Sequence, residues 1–244
     1  MSEKEFAKAR KKLIVALDTS DEVKLKKLLD ELGDTVDIFK VGLEQYLASR
    51  GKVLDLLKKK GKQVFLDLKF HDIPNTMAAA ARRAVNEKVW MFNIHVTGSE
   101  AMRQVIAAAR DEAEKLGIEC PKVIGVTVLT SLSDEDLREL GYQNTAAESV
   151  ITRAKLAKET GLSGVVSSAK EANSIKKEVG NDFMTVCPGV RPIWASKGDQ
   201  KRIMTPSAAI SEGADYLVVG RPITQAEVPA EAAKKILSEM EDVL

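Results

Sequence analysis

The sequence predicts an α/β fold, a (β/α)8 TIM barrel forming a single domain over residues 1–244. Three observations predict it. Eight short apolar runs recur along the chain, at 13–17, 38–43, 64–70, 92–96, 123–129, 164–168, 185–190 and 216–220. Each is nearly continuous rather than alternating, as strands buried on both faces should be. Amphipathic stretches of helical period separate the runs, and a chain of 244 residues accommodates eight such units without a linker or low-complexity stretch. Periodicity does not by itself prove closure, so a doubly wound open sheet stands as the alternative.

Capping chemistry marks the helices in order. Thr19-Ser20-Asp21-Glu22 opens the first and Gly33 closes it. Pro74-Asn75-Thr76 stands ahead of the Ala-rich stretch 77–85. Ser133-Asp134-Glu135-Asp136 opens another helix, and Thr205-Pro206 places proline in a first turn.

Composition excludes several function classes. Basic and acidic residues number 37 and 36, a net charge of +1, whereas a general nucleic-acid binder needs a basic excess. The local lysine clusters (Lys24 to Lys27, Lys58 to Lys60) sit among helical apolar residues and read as solvated faces. Cys120 and Cys187 stand far apart without a second Cys or a His at metal spacing, which argues against a disulfide framework or a zinc site. The first twelve residues are charged rather than secretory in character, and no apolar run approaches the ~20 residues that span a bilayer. A cytoplasmic protein with no membrane partner is expected.

In such a barrel, functional residues stand where strands end and βα loops begin. Those places carry Asp18, Lys40, Asp67 to Asp72, His95, Thr130, Ser168, Pro188 to Arg191, and Gly220-Arg221. The third strand is the unusual one. Asp67 and Lys69 are two apart and project to one side of it, with Leu66, Leu68 and Phe70 opposite. Asp72 follows just past the strand, and Lys40 interrupts the apolar run of the second. Buried charges are costly unless paired, so the array is either an ion-pair network closing the barrel top or an active site. A lysine held among carboxylates keeps its proton and can deliver it to an atom that gains negative charge as a bond breaks. The same carboxylates disfavour an anionic ground state more than a transition state whose charge has moved toward the lysine, which suits loss of CO₂.

His71 is expected to face away from Asp67 and Lys69 if the strand persists. A phosphate side is expected at the loops after strands seven and eight, the usual phosphate position of this architecture. There Gly220 allows close backbone approach and Arg221 offers a planar, permanently charged fork. The stretch after Pro192 is long enough to serve as a lid.

These residues resemble the bacterial type of orotidine 5′-phosphate decarboxylase. Asp67-Leu68-Lys69-Phe70-His71-Asp72-Ile73-Pro74-Asn75-Thr76 is similar to that family's signature. The likeness continues through Ala16 to Asp18, Phe39 to Gly42, Val126 to Ser131, Pro188 to Pro192, Asp199 to Pro206 and Gly213 to Pro222. The resemblance implies conversion of orotidine 5′-phosphate to uridine 5′-phosphate, the last step of de novo pyrimidine nucleotide synthesis, without metal or organic cofactor. It implies catalytic roles for Lys69, the proton donor, and for Asp67, Asp72 and Lys40. It implies substrate contacts from Asp18, Lys40, Asp67, Ile73, Thr76, Thr130, Arg191, Gln200, Gly220 and Arg221. It also implies a homodimer in which the 72–76 loop completes the neighbour's site. Trp90 and Trp194 are unusual against that pattern, and Asn86-Glu87-Lys88 stands where the resemblance implies a glycine-containing helix end.

Three alternatives remain at this point. A metal-dependent sugar-phosphate decarboxylase or aldolase needs further acidic ligands, where these strand ends carry His95, Thr130 and Ser168. A Schiff-base lysine enzyme needs a neutral lysine, which flanking carboxylates oppose. A silent nucleotide-binding protein should have lost part of the array, and all of it is present.

Overall fold

The apolar runs become eight parallel strands, β1 (Leu13–Ala16), β2 (Ile38–Gly42), β3 (Gln63–Phe70), β4 (Met91–His95), β5 (Lys122–Val126), β6 (Gly164–Val166), β7 (Met184–Pro188) and β8 (Tyr216–Val219). In the computed structural model, which describes residues 6–195 and 204–244, they follow chain order around a closed barrel, with β1 pairing both β2 and β8. That closure decides between the barrel and the open sheet.

Two apolar layers explain why the runs are continuous. Inward-facing Ile14, Ile38, Phe65, Met91, Ile124, Val186 and Val218 fill the barrel interior. The residues beside them in sequence, such as Val15, Phe39, Leu66, Phe92 and Leu217, pack outward against the helices. Both faces lose water, so neither can be polar. One step nearer the C-terminal mouth, the inward positions turn polar at Lys40, Asp67 and Asn93.

The helices start where capping chemistry places them. Asp21 accepts from Val23 and Lys24 N–H to open Glu22–Leu32, and Ser133 and Thr145 form capping boxes for Asp134–Glu139 and Ala146–Thr160. Pro74 is itself the first residue of Pro74–Asn86, so that helix begins three residues earlier than the Ala-rich stretch alone suggests. At its far end Lys88 adopts a left-handed φ of 52° and does the work expected of a glycine. Among the described residues no helix is long and apolar enough to cross a membrane.

Candidate active site

The strand ends bring four of the expected residues into one chain of alternating charge. Lys40 Nζ donates to Asp18 Oδ1 at 2.9 Å and lies 3.3 Å from Asp67 Oδ2. Lys69 Nζ donates to Asp67 Oδ1 at 2.6 Å. The order Asp18, Lys40, Asp67, Lys69 alternates in sign and sums to zero, which lets the two inner members be buried. Only 10% of the Lys40 side chain and 12% of the Asp67 side chain reach solvent, against 31% for Lys69. Lys69 is thus the more exposed of the two lysines in the array.

Burial alone would push the Lys40 ammonium down, but Asp67 and then Asp18 outweigh it and raise its pKa. Burial would likewise push the Asp67 carboxyl up, and the two lysines outweigh that, holding it below the ordinary carboxylate range. Both groups stay charged at neutral pH. Gly42 makes room for this pairing. A Cβ there would sit 2.8 Å from Lys40 Nζ and 3.3 Å from Asp18 Oδ1.

Strand alternation gives the side of Lys69 correctly but not its geometry. Between Leu66 and Phe70 the β3–β4 register shifts. Four residue steps on β3 run beside two on β4, from Phe92 to Ile94. Lys69 sits in this bulge with a left-handed φ of 50°, uncommon for a residue with a side chain. The strand ends at Phe70, and the expectation that His71 faces away is corrected. His71 is exposed and its ring lies 5.4 Å from that of His95, at the inward-facing end of β4. Half-burial, then the charges of His71 and Lys69, lower the His95 pKa.

Asn93 was not among the sequence candidates, yet it joins this cluster. Its Nδ2 donates to Asp67 Oδ1 at 2.7 Å, and its Oδ1 accepts from Lys69 N–H at 2.8 Å.

Two adjoining cavities open at this end of the barrel. The smaller, about 180 Å³, is lined by Lys40, Asp67, Lys69 and Thr130 among apolar Phe65, Val126, Val166 and Val218. The larger, about 400 Å³, is lined by Asp18, Lys40, Arg191, Gly220 and Arg221, with Glu44 and Gln225 as lining residues that sequence reasoning missed. Lys40, Pro188 and Val218 line both, so the two share a wall. The Gly220 position is roomy, since a Cβ there would meet Ala16 Cβ only at 3.6 Å.

The remaining candidates lie elsewhere. Asp72 accepts from Ile73 N–H at 2.6 Å, and Asp72, Ile73 and Thr76 are exposed at the start of Pro74–Asn86. Within one chain Asp72 therefore points to its own loop, not to Lys69. Ser168 is spent as a helix N-cap in a capping box with Glu171. Gln200 lies outside the described residues. Trp194 precedes that stretch, and Lys235 Nζ sits 5.8 Å over its ring. Among the described residues no group of three or more His, Cys, Asp or Glu is placed to hold a metal ion.

Comparison with known proteins fixes the kinship. The model of the "Orotidine 5'-phosphate decarboxylase / HUMPS family" matches residues 11–236. The chain belongs to this family. Among relatives named orotidine 5′-phosphate decarboxylase, the protein of Moorella thermoacetica is 49% identical over 237 residues, 96% of this chain and 94% of the relative. That of Carboxydothermus hydrogenoformans is 47% identical over 233 residues, covering 96% and 97%. The crystal structure of orotidine 5′-phosphate decarboxylase from Lactobacillus acidophilus superimposes with a TM-score of 0.82 at 35% identity, covering 94% of this chain and 98% of that one. Membership in the orotidine 5′-phosphate decarboxylase / HUMPS family agrees with the barrel, and the matched span includes every residue of the charge array.

Proposed function

We propose that this chain decarboxylates orotidine 5′-phosphate to uridine 5′-phosphate in pyrimidine nucleotide synthesis, with Lys69 as the proton donor. The observation that carries the reading is the pair of adjoining cavities, one lined by Lys69 and the other by Arg191 and Arg221. The smaller suits a flat pyrimidine, with apolar walls and Thr130 beside it. The larger suits a ribose 5′-phosphate, with Asp18 and Lys40 for the hydroxyls and the two arginines for the phosphate.

In this reading the bond between C6 and the carboxylate breaks heterolytically. CO₂ departs, and the electron pair left on C6 takes a proton from Lys69 Nζ, which solvent then replaces. Asp67, kept ionised by its lysines, disfavours the substrate carboxylate more than the transition state, in which charge has moved to C6 beside the ammonium. Binding of the remote phosphate holds the ring in that position.

The same reading makes the chain a cytoplasmic homodimer with shared sites and needs no cofactor. The exposed Asp72, Ile73 and Thr76 beside the mouth support it, since a neighbouring subunit is what gives that loop a site to complete.

Following the loss of orotidine 5′-phosphate by absorbance, with and without EDTA, tests the reading. Turnover indifferent to EDTA is expected. No turnover overturns the assignment, and EDTA-sensitive turnover returns it to the metal-dependent alternative. Lys69→Ala should abolish turnover while uridine 5′-phosphate still binds, and undiminished activity in that variant refutes the proton-donor role.

A further inference from the structure

We propose that Asn93 is a positioning residue for the proton transfer, its one amide setting both the spacing and the backbone handedness of the Asp67–Lys69 pair. The inference rests on the reading of Lys69 as proton donor.

Asn93 is 1% exposed and sits midway along β4, between outward-packed Phe92 and Ile94. The two groups it serves have opposite needs. Lys69 N–H lies in the bulge, where the β3–β4 pairing skips from Leu66 to Phe70, and the Asn93 carbonyl oxygen accepts from it in place of a strand partner. Asp67 Oδ1 is an anionic acceptor, and the Asn93 NH₂ donates to it. A carboxamide offers an acceptor and donors on one rigid plane, and these two partners fix which way round it lies. Leucine would satisfy neither, and aspartate only the first.

The consequence falls on Lys69. A lysine at φ 50° persists only where its surroundings over-determine the backbone, and the buried amide supplies that constraint from the neighbouring strand. The left-handed turn lets a side chain only two residues from Asp67 reach back to it at 2.6 Å. One carboxylate oxygen, Asp67 Oδ1, then receives both the Lys69 ammonium and the Asn93 amide, so the donor's position is read from β4 as well as β3. The amide is also among the groups that keep Asp67 ionised.

Two variants of the full chain separate the two halves of the clamp. Asn93→Ala should lower kcat by about tenfold or more, while KM and the affinity for uridine 5′-phosphate stay within about threefold. Its crystal structure should show Lys69 out of the left-handed region and its ammonium beyond ion-pair distance from Asp67. Asn93→Asp, nearly isosteric, keeps the acceptor for Lys69 N–H but not the donor for Asp67. Its Lys69 backbone should stay left-handed, while the acid limb of the kcat profile moves to higher pH because Asp67 is protonated more readily. A purely structural asparagine would leave that limb in place. An unchanged kcat and acid limb in both variants overturns the proposal, as does an Asn93→Ala structure that keeps both the φ and the contact. If the wild-type chain shows no turnover, the decarboxylase reading fails, and the structural comparison then decides only whether Asn93 sets the geometry of the Asp67–Lys69 pair.

Discussion

Lys40 Nζ stands 3.3 Å from Asp67 Oδ2 with both side chains almost closed to solvent, so each charge offsets part of the other's burial cost. Replacing Lys40 by methionine keeps the bulk and removes the cation. Asp67 would retain Lys69 and Asn93 as partners, which limits the loss to roughly 2 kcal/mol. Thermal unfolding of Lys40→Met should show a clearly lowered Tm together with impaired turnover. A Tm equal to wild type means that the pair contributes nothing net.

The same pair sets a pH dependence of stability. Asp67 has a lowered pKa, so its contribution is full above the ordinary value of 3.8 and is lost as pH falls through the lower folded value. Lys40 has a raised pKa, so its contribution is full below 10.5 and is lost as pH rises through the higher folded value. Between those limits the two groups add no pH slope. Unfolding of wild type and Lys40→Met should differ most near neutral pH, and the gap should shrink in the acid range where Asp67 takes up its proton. A gap that stays constant through that range contradicts the linkage.

Gly42 predicts a subtler defect. In Gly42→Ala the new methyl group falls 2.8 Å from Lys40 Nζ and must push it from Asp18. A raised KM together with a lowered kcat is expected, since Lys40 lines both cavities. Steady-state kinetics showing wild-type values would mean that the ammonium has room to move.

The exposed 72–76 loop leads to a mixing experiment. If Asp72 serves the neighbouring subunit, Lys69→Ala and Asp72→Ala damage different halves of each composite site. Mixed and allowed to exchange subunits, the two weak variants should recover up to about a quarter of wild-type turnover, because half of the dimers then hold one intact site. Activity no greater than the mean of the separate variants argues that each site is built within one chain.

Much of this was legible in the sequence because the barrel imposes simple demands. Strands covered on both faces must be apolar, so Lys40 and Asp67 stood out within runs that otherwise read Ile38 to Gly42 and Val64 to Phe70. Asn93 did not stand out, because a lone polar residue in an apolar strand is ordinarily a satisfied buried group. Its partners lie 24 and 26 positions away and are reached only through the β3–β4 register. Its phase with inward-facing Met91 and His95 was the available signal. The bulge at Lys69 was hidden because alternation carries no mark of a shifted ladder. His71 was misjudged for another reason, since it stands two residues past Lys69 and simple alternation already places it on the Lys69 side. Predicted runs also overshot β5. There the strand ends at Val126, and the Thr127 backbone N–H and hydroxyl both donate to Val166 O, at 3.3 and 2.8 Å.

The left-handed lysine bears on any attempt to move this chemistry to another scaffold. An Asp-x-Lys tripeptide grafted onto a regular strand would carry the right letters with the ammonium aimed along the wrong path. A working transplant has to bring the two surplus residues of β3 and an amide on the adjacent strand, so the smallest portable unit is a pair of strands rather than a motif.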